Sequence, residues 1–221
     1  MFRSKRRGVV FPQAEHARFS GAIAALWGND RFERPAIDFD SFVQGVALHD
    51  RGYGELDTDP IGEVESKRWI EIQRRGFEPR HENSVVDLVV AMHVHRLLSK
   101  PWNPTVAVAL PAPEDALQAL RAAAGIGEDE ARAADAITDL CDRIAFDVCV
   151  EERSEWSFLM PPSVGAAPVE ITFTFDGAGT VGVDPWPLGV PWARPLLTGL
   201  LAEDYPDRLE PVVEPIHLRP A

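Results

Sequence analysis

The sequence predicts a mainly α protein: a helical bundle followed by a small C-terminal β-hairpin. Three observations carry that reading. Apolar residues recur at helical spacing in five stretches before residue 152, each bounded by residues that start or stop helices. Beyond residue 152 the pattern changes to alternation in VEITFTF, then DGAG, then TVGVDPW, which reads as strand, turn and strand at about 169–183. The chain has 221 residues, 45% of them hydrophobic, which suits one full-sized core. The expected organisation is a helical core over residues 1–152, with a hairpin, short helix and tail over 153–221 packed on it as a single structural domain.

In chain order, RRGVVF (6–11) reads as a short strand. A first helix runs from Pro12 or Gln13 to Trp27, because proline suits a first turn and Gly28 suits an end. A second spans Asp40 to Asp50, capped by Asp38 or Asp40 and closed by Gly52. Residues 51–82 read as irregular and polar, with one turn of helix around Ser66–Gln73. Asn83 or Ser84 caps a third helix, Val85–Ser99, which stops before Pro101. A fourth, Glu114–Ala124, ends at Gly125, and the longest, Glu128–Glu151, follows. PPSVGAAP links to the hairpin. A short helix near Arg194–Ala202 and a proline-rich tail along the surface complete the chain.

Charge and composition exclude several function classes. A net charge of -13 repels nucleic acid and anionic membranes, so neither is an expected partner. No apolar run approaches the roughly 20 residues needed to cross a bilayer. In MFRSKRRGVVF the apolar part is cut short by Pro12, Gln13 and Glu15, so it does not read as a signal peptide. Cys141 and Cys149 lie in one helix, about 12 Å apart along its axis, too far for a disulfide. Reduced thiols and a cytoplasmic location are the expectation.

The chemistry is suggested by where histidines and aspartates fall on the helical faces. His16 shares a face with Phe19, Ile23 and Trp27. His49 and Asp50 lie along the edge formed by Phe42, Val43 and Val46. His93 shares a face with Val86, Val89 and Leu97, whereas His95 lies elsewhere and reads as an ordinary hydrogen-bonded residue. Asp142 borders the stripe of Ile137, Cys141, Ile144 and Val148. Several helices thus direct an imidazole or carboxylate inward, and a buried ionised aspartate is costly unless paired. A divalent cation satisfies such a set, and mixed nitrogen and oxygen donors suit iron, manganese, nickel, cobalt or zinc. The plainer alternative is a set of hydrogen-bonded core residues.

The order of these residues resembles the HD-domain superfamily of metal-dependent phosphohydrolases. It has an early histidine, an adjacent HD pair, a later histidine and a final aspartate in a long helix, AITDLCDRIAF, with Cys141 where alanine is usual. Four segments further resemble an uncharacterised bacterial domain family: QAEHARFSGAIAALWG (13–28), ALHDRGYGELDTDP (47–60), VVAMHVHRLL (89–98) and LCDRIAFDVCVEE (140–152). The resemblance implies an HD-domain-like bundle with His16, His49, Asp50 and Asp142 as metal ligands, and His93 as a further ligand or a phosphate-facing group. Only His93 or His95 is available to extend the set, so a one-metal site or one without metal stays open.

Two flanking features complete the expectation. Asp57 and Asp59 follow the HD pair. Asp57 either orients a ligand histidine or a water, or is a turn residue like Asp59. Residues 67–81 carry Lys67, Arg68, Arg74, Arg75 and Arg80 against Glu71 and Glu78, so this stretch is either a phosphate-meeting lid or a solvated loop. The expected activity is metal-dependent hydrolysis of a small phosphorylated metabolite or nucleotide, with His93 and Arg74 or Arg75 stabilising phosphate charge. One alternative is a non-catalytic module that keeps the cluster as a structural polar network. Its apolar PWPLGVPW segment (185–192) would dock a partner or a second copy in a homodimer. A lesser alternative is an iron-dependent oxygenase. Trp27, Trp69, Trp102 and Trp156 read as packing residues.

Overall fold

Pro12, extended at φ -57 and ψ 148, opens helix α1 (Gln13–Ala24). Asp38 caps α2 (Phe39–Ala47) by accepting the Ser41 N–H at 2.9 Å. Helix α3 (Ser66–Arg74) continues into a 3-10 turn at Arg75–Phe77. Helices α4 (Ser84–Ser99), α5 (Glu114–Ala124) and α6 (Glu128–Val150) follow, and α5 stops at Gly125 in the left-handed conformation. The computed structural model describes residues 1–51, 57, 64–99, 113–177 and 179–221. Gly52, Asp59, Pro101 and Trp102, named above, lie outside the described residues.

The mainly α expectation is overturned. Among the described residues six α-helices accompany eight strands in two four-stranded sheets, so the fold is mixed α/β and not an all-α bundle with one hairpin. The strands are β1 (Phe2–Arg3), β2 (Val9–Phe11), β3 (Glu155–Met160), β4 (Val169–Phe175), β5 (Thr180–Asp184), β6 (Leu196–Leu201), β7 (Pro211–Pro215) and β8 (His217–Pro220). The first sheet has the order β1-β2-β6-β7 and is antiparallel throughout. The second has the order β3-β4-β5-β8, with β5 and β8 parallel. The expected hairpin is present as β4 and β5, but as the middle of that sheet.

The reasons for the miss are physical. LLTGLL, read as a short helix, is strand β6: a short apolar run has no period that separates strand from helix. Gly199 suits it to pairing, because a Cβ there would stand 2.3 Å from Val9 Cγ1 on β2. The proline-rich tail supplies β7 and β8, each the last strand of its sheet, where a missing N–H is tolerated. The PWPLGVPW segment is pinned to the end of α1 by Gly28 N–H to the Pro187 carbonyl (3.1 Å) and Gly189 N–H to the Leu26 carbonyl (2.8 Å). Leu188 within it is buried, while Trp192 is 61% exposed.

The core runs through both layers: Phe11, Phe19, Trp27, Phe42, Leu88, Leu140 and Ile171 are all buried. Each such side chain contributes about 1.5–3 kcal/mol of burial. Helix α1 packs on α2 and α6, and α4 packs on α2 and α5. Two glycines set the closeness of these contacts. A Cβ on Gly21 would lie 2.6 Å from Ala47 Cβ, and one on Gly45 would lie 2.6 Å from Val89 Cβ. Close approach of α1, α2 and α4 is what lets short side chains from all three meet.

Candidate metal centre

Helix α2 ends at Ala47, earlier than its sequence pattern predicts, and His49 and Asp50 occupy the turn beyond it. On a continuing helix these neighbours would point about 100° apart; the turn directs both inward. The turn also leaves helix carbonyls without helical partners. The His49 ring takes one of them, with Nδ1–H donating to the Val46 carbonyl at 2.7 Å. His49 Nε2 is thereby the nitrogen that faces the interior.

His16 enters from the first turn of α1, its ring against Phe2 of β1 with centroids 4.5 Å apart. His93 enters from α4, its ring centroid 4.4 Å from that of His49. Asp142 enters from α6. The structure therefore brings together His16, His49, Asp50, His93 and Asp142. His16 Nε2–H donates to Asp142 Oδ1 at 2.9 Å and stands 3.7 Å from Asp50 Oδ2. His49 Nε2 stands 3.4 Å from Asp50 Oδ2 and 3.6 Å from Asp142 Oδ1. His93 Nε2 stands 3.4 Å from Asp50 Oδ1.

These spacings test the fit to a cation. Most exceed hydrogen-bond length. Donors held about 2.1 Å from a common ion lie roughly 3.0–3.5 Å from one another, close to the separations found. The candidate ligand atoms of His16, His49 and Asp142, and separately those of His49, Asp50 and His93, all lie within 4.8 Å of one another. His49 Nε2 and His93 Nε2 are buried with no hydrogen-bond partner among the described residues. The donor set fits a divalent transition metal.

The electrostatics point the same way. Burial opposes ionisation of both aspartates, yet His49 and its neighbours hold Asp50 and Asp142 well below the usual carboxylate range. Burial also opposes charge on His49, but Asp50 and Asp142 outweigh it and push the imidazole up to about 10. Burial and the nearby charge of His49 hold His93 down. Two carboxylates at one buried spot call for positive charge, which a proton on His49 and the Arg96 guanidinium, 3.8 Å from Asp142, supply in part.

The other predicted residues lie outside the cluster, with Asp57 near enough to Asp50 to feel its charge. Asp57 Oδ1 accepts the Gln13 N–H at 2.8 Å at the start of α1, and the Asp57 carbonyl accepts the Tyr205 hydroxyl. Burial pushes its carboxyl up. Arg74 is exposed at the end of α3 and Arg75 opens the 3-10 turn; neither is among the residues lining the adjoining cavity, which Trp69 of α3 does line. His95 pairs with Glu114 at 2.6 Å on the outside of α4.

Sequence reading missed Arg96. Its guanidinium pairs with Asp135, lies 3.3 Å from Asp139 and 3.8 Å from Asp142, and donates to His93 Nδ1 at 3.0 Å. The signal was legible: Arg96 follows His93 by three residues, and the three aspartates fall at steps of four and three on α6, each set on one helical face. Gln13 was also missed. It is buried beside the cluster, and its Oε1 has no hydrogen-bond partner among the described residues.

Asp50, His93 and Asp142 of the cluster line a cavity of about 590 Å³, with His16 and His49 behind them. Phe2, Trp69, Phe146 and Trp156 give it apolar surface; Lys5, Arg143 and Arg153 bring positive charge, set against Asp139, Asp147 and Glu152. Among the described residues no helix is long and apolar enough to cross a membrane. Neither a curated protein nor a solved structure matches the chain. One family model does, over residues 1–192, a span that includes every residue of the cluster; the chain belongs to the family described as protein of unknown function DUF3891.

Proposed function

We propose that the chain is a metal-dependent hydrolase of HD type that acts on a small phosphorylated metabolite or nucleotide. The observation that supports this best is His49 Nε2, a buried nitrogen without a hydrogen-bond partner among the described residues, 3.4 Å and 3.6 Å from two ionised carboxylates. His16, His49, Asp50 and Asp142 would hold the cation, which is iron, manganese, nickel, cobalt or zinc. When bound, such an ion acidifies a coordinated water and polarises a phosphoryl oxygen.

The chain's own residues supply the rest. Asp50 and Asp142 provide the negative charge that retains a cation, and the Val46 carbonyl keeps His49 Nε2 pointed at it. A volume of about 590 Å³ suits a small phosphorylated molecule. Arg143 and Arg153 line the cavity, so the role of offsetting phosphate charge falls to them in preference to Arg74 and Arg75. Trp69, Phe146 and Trp156 offer surface for an apolar or aromatic part of the substrate. Both cysteines are free and buried, in keeping with a cytoplasmic location.

Metal analysis of protein purified without chelator tests this. One equivalent of a transition metal is expected, lost in Asp50→Ala and in Asp142→Ala, together with orthophosphate release from some member of a panel of nucleotides and sugar phosphates. The non-catalytic reading draws on the raised pKa of His49, since a proton can also satisfy the carboxylates. A folded protein that takes up no transition metal at any pH from 6 to 9 would establish that reading and end the hydrolase proposal.

A further inference from the structure

We infer that Arg96 is a positioning residue that holds His93 in the tautomer protonated on Nε2, so that His93 is a hydrogen-bond donor beside the cation site and not one of its ligands. The inference rests on the metal reading above for the identity of that site, but the tautomer itself follows from which group stands nearest His93 Nδ1.

Arginine carries only donors. Its N–H reaches His93 Nδ1 at 3.0 Å, so that nitrogen presents a lone pair. A neutral imidazole has one N–H, which must then sit on Nε2. Coordination through Nε2 would require the proton to move to Nδ1, where it would confront a guanidinium N–H at the same 3.0 Å, while the carboxylate oxygen that could receive it, Asp142 Oδ2, stands farther off at 3.5 Å. Turning the ring over would put a carbon against Arg96 and strand the donor.

Arg96 cannot easily yield. Its side chain is 12% exposed, and Asp135, Asp139 and Asp142 of α6 fix it from one side. Spacing alone would admit His93 to the ligand set, since its Nε2 stands 3.4 Å from Asp50 Oδ1. Proton placement decides against it. The Nε2–H is buried, makes no hydrogen bond among the described residues, and belongs to a side chain lining the cavity. It is placed to donate to Asp50 Oδ1 or to an oxygen of an anionic ligand. His49 has the opposite polarity: its Nδ1–H is committed to Val46, which leaves Nε2 to bind. His16 also carries its proton on Nε2, but its Nδ1 accepts no hydrogen bond among the described residues, so the proton can pass there and free Nε2; the ligand set closes at His16, His49, Asp50 and Asp142.

Long-range proton–nitrogen correlation spectra of ¹⁵N-labelled protein test this. In metal-free protein His93 is expected to show a protonated Nε2 and an unprotonated Nδ1. On adding one equivalent of zinc, ring nitrogens of His16 and His49 move to coordinated positions and those of His93 do not. An unprotonated His93 Nε2 before zinc, or a coordinated one after it, overturns the inference. If zinc does not bind, the metal reading fails, and the His93 tautomer still decides whether Arg96 acts as described. Arg96→Gln, which can accept as well as donate, is expected to give a mixture of His93 tautomers, and Arg96→Lys to restore the single one. An unmixed Nε2–H tautomer in a folded Arg96→Gln protein removes Arg96 from the role. If neither variant folds, the wild-type spectra decide.

Discussion

His49 is raised to about 10 because two carboxylates face it, so in metal-free protein it carries a proton near neutral pH. A cation must displace that proton, and metal affinity therefore depends on pH. Apparent affinity should rise about tenfold per pH unit between pH 6 and 8, measured by competition with a chromophoric chelator; a flat profile would show that no proton is displaced. The sign for stability follows from the same shift. A base with a raised folded pKa contributes stability that is present below its unfolded value of 6.5 and is lost as pH rises through about 10. The thermal midpoint of metal-free protein should fall between pH 7 and 10, and that of zinc-loaded protein should fall less. Asp147 runs in the acid range. Burial pushes its carboxyl up to about 6, against the pull of Arg153. Its folded state favours the protonated form, so stability declines as pH rises from about 4 through 6. Asp147→Asn should leave the urea midpoint unchanged at pH 4 and raise it at pH 7. At Cys141 and Cys149 burial pushes both thiols up, so a thiol reagent should label neither until the protein unfolds.

At the scale of elements, the centre depends on how closely α2 approaches its neighbours. Gly45→Ala would put a methyl 2.6 Å from Val89 Cβ and force α2 away from α4. A cost of about 1–3 kcal/mol is expected, with weakened zinc binding, because the HD turn moves with α2. Gly125→Ala is the control. Its φ of +67 carries strain of about 1 kcal/mol with open space around the new methyl, far from the cluster, so zinc binding should not change. The helices that carry the site were legible because each repeats its apolar residues over several turns, and this also placed His16, His93 and Asp142 on inward faces. The turn at His49 and Asp50 was not legible, since FVQGVALHD has no proline and its one glycine, Gly45, lies inside α2 and not at its end. Arg96 was overlooked because one cation on an apolar helix reads as solvated until the three aspartates of α6 are set beside it. The strands were the larger loss. β2 has three residues, and its partner β6 lies nearly two hundred residues on, so local pattern carries no record of their pairing.

At the scale of the whole molecule, the far end of the chain supports a site whose residues all lie before residue 152. Phe2 packs on His16 and on Phe146 at 5.4 Å, and it belongs to β1, which pairs only with β2 among the described residues. β2 in turn rests on β6 through Val9↔Leu201 and Val10↔Leu200. A second tie joins the same segment to the end of α6. Glu151 accepts from the Ser4 hydroxyl and lies 3.3 Å from Arg7 Nε, and Arg7 also pairs with Glu214 on β7. A chain cut after residue 152 keeps every candidate ligand but loses β6, exposes one edge of β2, and frees β1 to leave His16. Such a chain should lack a cooperative urea transition and bind zinc at least tenfold more weakly. The point variant Gly199→Val asks the same question without truncation, because its Cβ falls 2.3 Å from Val9 Cγ1 and pries β6 from β2. Zinc affinity should drop in that variant while tryptophan fluorescence still reports a folded protein. Full zinc affinity together with cooperative unfolding in the shortened chain would show that the helices assemble the cluster alone and that the first sheet is an accessory to it.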